Sequence, residues 1–140
     1  MVLGMIRELD VQECWQLVGG TTIGRVGCVV GDRILVLPVN YLVEDEAIVI
    51  RTSPDGELAK AGSAPEEVAF EVDHHDRVAG IGWSVLMNGV LEPLPEEKIA
   101  TLSGTERVIP WAGGDRSRYL RFTAHLVSGR SVRRERHPRP

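Results

Sequence analysis

The sequence predicts a mainly β fold, an antiparallel barrel of six strands with two or three short helices. Three observations carry this. Six stretches rich in β-branched and apolar residues are separated by Gly, Pro or acidic turns. The first three lie so close together that only hairpins can join them. No strand–helix–strand alternation of the kind that builds a parallel sheet occurs.

The first element is a helix. Asp10 is an N-cap with Glu13 three residues on, a capping-box spacing, and Leu9 before the cap is placed to staple onto Cys14. Val11, Cys14, Trp15 and Val18 fall on one face, and Gly19-Gly20 ends the helix. Residues 21–30 then read as a strand, Gly31-Asp32 as a hairpin turn, and residues 33–43 as a second strand. Pro38 marks an edge or bend in it. A turn at Glu44-Asp45-Glu46 leads to a third strand over 47–52. Residues 57–61 make one helical turn closed by Gly62. Strands follow over 68–72 and 81–91, a helix over 96–102 starting from Pro95, a loop over 105–116, and a last strand over 119–127. The domain is read as residues 1–130, followed by a basic, disordered tail over 131–140 whose removal leaves the fold intact.

A chain of 140 residues fits one such domain. Two cysteines, Cys14 and Cys28, do not make a secreted disulfide framework, and no signal-peptide pattern or membrane-length apolar run occurs, so the cytoplasm is the expected compartment. The last 11 residues hold five arginines against one acid. With a net charge of −4 overall, that excess of four leaves residues 1–129 at −8, which does not attract nucleic acid.

Several chemistries are missing. There is no phosphate-binding GxxxxGK[ST] loop and no GxSxG elbow. Gly80-Ile81-Gly82 starts like a dinucleotide fingerprint, but Val85 stands where the third glycine belongs and a strand follows. Asp73-His74-His75-Asp76 has metal-binding residue types, yet adjacent strand residues point to opposite faces, so a polar strand end explains them better. His125 reads as a hydrogen-bonded structural histidine.

One segment can hold an anion. Ile48-Val49-Ile50-Arg51-Thr52-Ser53 ends an apolar strand in a guanidinium and two hydroxyls, then enters a glycine-containing loop and a helical turn. Those donors suit a phosphate, although Arg-Thr-Ser is also an ordinary polar strand end.

Taken together, Thr22-Ile23-Gly24-Arg25-Val26, Leu37-Pro38-Val39-Asn40-Tyr41, the Arg51–Leu58 segment, Gly82-Trp83-Ser84-Val85 with Gly89, and Ser128-Gly129-Arg130 resemble the flavin-binding split-barrel proteins related to pyridoxamine 5'-phosphate oxidase, in particular their nitroimidazole-resistance-like subgroup. The resemblance covers about residues 10–130. It implies a six-stranded Greek-key split barrel, a homodimer, and FMN in grooves between subunits. It puts Pro38, Val39 and Asn40 along the flavin ring, and Arg51, Thr52 and Ser53 with Leu58 and Lys60 near ring and phosphate. Trp83, Ser84 and Val85 then meet the cofactor from across the groove, and Trp111 covers it. Glu57 departs from the pattern, because relatives commonly carry a cation there, and this brings in deazaflavin, haem or no cofactor at all as alternatives. The implied activity is flavin-dependent oxidoreduction of a small-molecule substrate. Non-catalytic cofactor carriage or sensing is the alternative, because no residue stands out as an acid or base. No nucleic acid or membrane partner is expected.

Overall fold

A computed structural model of the chain describes residues 4–102 and 118–134. The elements are β1 (Gly4–Leu9), α1 (Val11–Gly19), β2 (Ile23–Val30), β3 (Arg33–Glu44), β4 (Ala47–Thr52), α2 (Glu57–Ala61), β5 (Glu66–Asp76), β6 (Ile81–Pro93), α3 (Glu96–Thr101) and β7 (Arg118–Arg134). Every strand pairing is antiparallel.

The sheet runs β1-β7-β4-β3-β2-β5-β6, and β6 pairs back onto β7. Six strands, β2 to β7, therefore close a barrel, and β1 is a seventh added outside it. The predicted architecture holds, with that one strand extra. Strands β2, β3 and β4 form a meander, and β5 returns beside β2, which is the Greek-key arrangement.

Strand β7 explains how the barrel is split. One of its edges pairs with β6 from Leu120 to Arg133. The other pairs with β4 over residues 118–123 and with β1 over residues 129–134. Residues 124–128 lie between those two partners. The ladder with β6 is interrupted there: Asn88 pairs with Leu126 and Gly89 with Ala124, so His125 is an extra, bulged residue. Gly89 is required at this point, since a Cβ would overlap the Thr123 carbonyl oxygen.

Alternation fills the interior. Val26, Cys28, Val39, Tyr41, Ile48, Ile50, Phe70, Val72, Val85, Met87, Leu120 and Phe122 point inward and are buried. Tyr41 packs edge-on to Phe70 at 5.1 Å, and Phe70 lies 5.7 Å from Phe122. Helix α1 plugs one end with Cys14 and Val18, both fully buried, and is fixed by a complete capping box: the Asp10 carboxylate accepts from the Glu13 N–H at 2.8 Å, and Glu13 accepts from the Asp10 N–H at 3.2 Å. Val11, expected on the buried face, is 54% exposed. A second cluster of Val49, Leu94, Leu102 and Tyr119 lies outside the barrel under α3.

Three boundaries differ from those the sequence predicts. β1 falls in a stretch to which the sequence reading assigned no element. β5 extends through Asp73-His74-His75-Asp76, and the Asp76 carboxylate then takes the Val78 and Ala79 N–H groups at 3.0 Å to make the turn. The assumed tail begins inside β7: Ser131, Val132, Arg133 and Arg134 pair with β1 on one side, and residues 131–133 pair with β6 on the other. A ladder satisfies these backbone groups whatever the polarity of the side chains. The rest of the tail, 135–140, and the expected loop over 105–116 with Trp111 lie outside the described residues, the first two loop residues included. No helix among the described residues is long and apolar enough to cross a membrane.

Candidate functional site

Strand alternation divides the expected site residues between the two faces of the barrel wall. Residues 39 and 41 of β3 and residues 48 and 50 of β4 face in, so Pro38, Asn40 and Arg51 face out. Arg51 stands opposite Tyr119 of β7, with its guanidinium carbon 5.5 Å from the ring centroid. Asn40 precedes Tyr41 on β3, just beyond the last β3–β4 pair, and is paired with Ile23 of β2. Ile23, Asn40, Arg51 and Tyr119 thus form one row across β2, β3, β4 and β7 on the outer face. Tyr119 was not foreseen, because the β4–β7 register that brings it to Arg51 joins segments far apart in sequence.

Thr52 and Ser53 continue from Arg51 and are half-buried. The chain then turns through Gly56, whose N–H donates to the Ser53 carbonyl at 3.2 Å, into α2. Glu57 is not a bare carboxylate. It lies 3.6 Å from Arg33 and 3.9 Å from Lys60. The repulsion expected from Glu57 is therefore offset by two cations; Arg33, Arg51 and Lys60 against Asp55 and Glu57 leave a balance of +1. The Cys28 thiol, packed inside the barrel near α2, is pushed up first by burial and then by the Glu57 charge.

Leu58, Val39 and Val85 are 4%, 7% and 1% exposed and belong to the core. Their side chains fill the barrel, and only their backbone can meet a ligand. Trp83 and Ser84 sit on β6, Trp83 toward the barrel mouth beside His74 (ring centroids 6.4 Å apart) and Ser84 on the outer face. In the closed barrel β6 is three strands from β3 by either route. One protomer therefore brings Asn40, Arg51, Thr52 and Ser53 together but leaves Trp83 and Ser84 on the far side.

The remaining candidates lie away from the row. His74 and His75 are exposed strand residues, and no cluster of metal-binding side chains occurs among the described residues. His125 is hydrogen-bonded to Glu67, 2.9 Å from its Oε2. Arg25, beside Pro38 on the outer face, is clasped by Glu71 at 2.7 Å and Asp73 at 2.9 Å, which hold its charge firmly.

A family model described as Pyridoxamine 5'-phosphate oxidase matches residues 10–131. No curated protein matches. Among solved structures, the FAD binding protein of Mycobacterium smegmatis is 25% identical, with 90% of this chain and 97% of that one covered and a TM-score of 0.75. A FAD-binding protein of Mesorhizobium loti is 22% identical over 91% and 98% of the two chains, with a TM-score of 0.71. A putative 5-nitroimidazole antibiotic resistance protein of Bacteroides thetaiotaomicron is 15% identical over 97% and 96%, with a TM-score of 0.68.

Proposed function

Since the chain belongs to the pyridoxamine 5'-phosphate oxidase family, we propose that it binds a flavin against the outer row of Asn40 and Arg51 and carries out flavin-mediated redox chemistry on a small molecule. The observation that carries this reading is the donor set gathered at one strand end: the Arg51 guanidinium, the Thr52 and Ser53 hydroxyls, and a Glu57 charge already offset by Arg33 and Lys60. Such donors fit the ring edge and phosphate of the FMN moiety. The relative from Mycobacterium smegmatis is named for FAD, and FMN is the flavin half of that molecule.

When bound, the flavin supplies the hydride or electron transfer. Asn40 and Arg51 orient its polar edge, and Tyr119 holds the Arg51 side chain flat against the sheet. Pro38 keeps one backbone N–H out of the ladder beside the ring. Among the described residues no Asp, Glu, His, Lys or Arg side chain is buried, so apart from the Tyr119 phenol the row holds no shielded proton donor. That favours a carrier or sensor as the second reading.

The active unit is a homodimer in this proposal. Trp83 and Ser84 reach the row only if they come from a second copy. The outer face of β2 and β3 carries the uncovered apolar side chains Ile34, Val36 and Val29, at 81%, 67% and 56% exposed, as a dimer contact requires. The test is optical. The protein is titrated with FMN and FAD, then mixed with reduced nicotinamide nucleotides. A two-band flavin spectrum with a micromolar or tighter Kd supports binding, and bleaching supports turnover. A colourless protein that takes up neither flavin refutes the proposal.

A further inference from the structure

Arg25 is the next outward-facing residue of β2 after Ile23, so it stands one step along the barrel wall from the row of Asn40 and Arg51. It is directly opposite Pro38 of β3 on one side and directly opposite Glu71 of β5 on the other, and all three face outward. Side chains paired in this way across neighbouring strands have their Cβ atoms about 5 Å apart. A ring lying on Pro38 therefore also lies against Arg25.

The guanidinium is fixed in place. Its Nη2 donates to Glu71 Oε1 at 2.7 Å and to Asp73 Oδ1 at 2.9 Å. Both bonds use that one nitrogen, and Nε and Nη1 make no hydrogen bond among the described residues. The Arg25 and Glu71 side chains are 34% and 33% exposed, so salt screens this pair less than a fully solvated one. The hydrogen bond to Glu71 above all raises the already high pKa of the guanidinium, which makes its charge permanent. One carboxylate would neutralise it; two hold it and leave the group at −1. The register also orders these charges. The cation is next to Pro38, and both carboxylates stand behind it on β5.

Two-electron reduction with uptake of one proton leaves a flavin ring one unit more negative than the oxidised ring. A fixed cation beside the ring holds the reduced form more tightly than the oxidised one, and carboxylates behind it temper that preference. We propose that Arg25, positioned by Glu71 and Asp73, sets the ratio of affinities for reduced and oxidised flavin, and through it the reduction potential of the bound ring. This rests on the flavin reading and adds to it a charge that acts on the ring, separate from the Arg51 anchor.

The test uses the full chain loaded with FMN. Its potential is read against a reference dye while dithionite supplies the electrons and water the proton. Arg25→Gln should lower the affinity for reduced relative to oxidised flavin about tenfold, which puts the two-electron potential about 30 mV lower. Glu71→Gln and Asp73→Asn should each shift the ratio a few-fold the other way, and Arg25→Lys, which keeps the charge, should restore most of the wild-type value. A merely structural triad would lower the unfolding temperature in these variants without giving opposite signs in the potential. Asp73 is 55% exposed, so Asp73→Asn serves where Arg25→Gln fails to fold. FMN bound with a potential that none of the substitutions moves beyond error overturns this inference alone. No uptake of oxidised FMN by the wild type overturns it together with the flavin reading.

Discussion

Replacing Tyr41 by Phe removes one oxygen from the centre of the barrel, and the structure fixes what that should do at each pH. Tyr41 is 1% exposed, and its hydroxyl donates to the Val18 carbonyl at 2.6 Å, tying β3 to the end of α1. Without it, that carbonyl keeps only the Thr21 N–H at 3.4 Å. A lost buried hydrogen bond of this kind costs about 0.5–1.5 kcal/mol at neutral pH. Ionisation adds a second effect. Burial pushes the phenol up to about 12, against a smaller opposing pull from Thr21, whereas the unfolded chain ionises near 10. The raised value means that the contribution is present in full below pH 10 and is lost as pH climbs towards 12. Linkage gives a wild-type loss of about 1.4 kcal/mol by pH 11 and about 2.3 kcal/mol by pH 12. The variant lacks this slope. For a neutral-pH cost of about 1 kcal/mol the two stability curves should cross near pH 10.7. Urea unfolding followed by tryptophan fluorescence, at fixed protein concentration from pH 7 to 11.5, reads both. Curves that coincide at pH 7, or that stay parallel to pH 11.5, would show that the hydroxyl is neither bonded nor buried as described.

Four other outcomes follow from the geometry. Arg51→Ala should weaken flavin binding about ten- to a hundred-fold, by loss of a charge-assisted contact, and an unchanged Kd in a fluorescence-quenching titration would remove the anchor from the proposed site. Glu57→Gln should tighten it a few-fold at low salt and less at high salt, because Arg33 and Lys60 are released from their carboxylate; weaker binding would mean that Glu57 itself holds the ligand. Gly89→Ala forces a Cβ onto the Thr123 carbonyl and should cost about 2 kcal/mol or more in urea unfolding, whereas a neutral effect would show that the bulge can open freely. A chain ending at Ser131 removes the β7 residues paired with Gly4, Met5 and Ile6 and should melt about 3–6 °C lower; an unchanged melting temperature would restore the tail to the role the sequence first suggested.

What the sequence made legible was what local chemistry decides. The capping box at Asp10 and Glu13, the strand over 47–52 and the turn of helix over 57–61 all appear where expected. The meander was legible because its turns are short. What was hidden depends on partners distant in the chain. β1 shows almost no burial contrast, every residue but Leu9 being exposed, so no periodicity marks it and only the edge of β7 makes it a strand. Arg130 to Arg134 look like solvated tail for the same reason. The site residues followed a similar rule. Strand alternation puts Pro38, Asn40 and Arg51 on one outer face, whereas the neighbour of Arg51 and the partners of Glu57 required a tertiary register to find.

Strand β7 also dictates an order of assembly. Among the described strands it is the last to be synthesised, yet β1, β4 and β6 each need one of its edges. Until its 17 residues leave the ribosome, three strands wait with open backbone edges, and β1 waits for partners about 120 residues further along the chain. The barrel therefore cannot close progressively from its N-terminus. Folding is held back until one late strand zips three seams in a single event. Such long-range pairing makes for slow folding, with the nascent chain most open to misassociation just before that strand arrives.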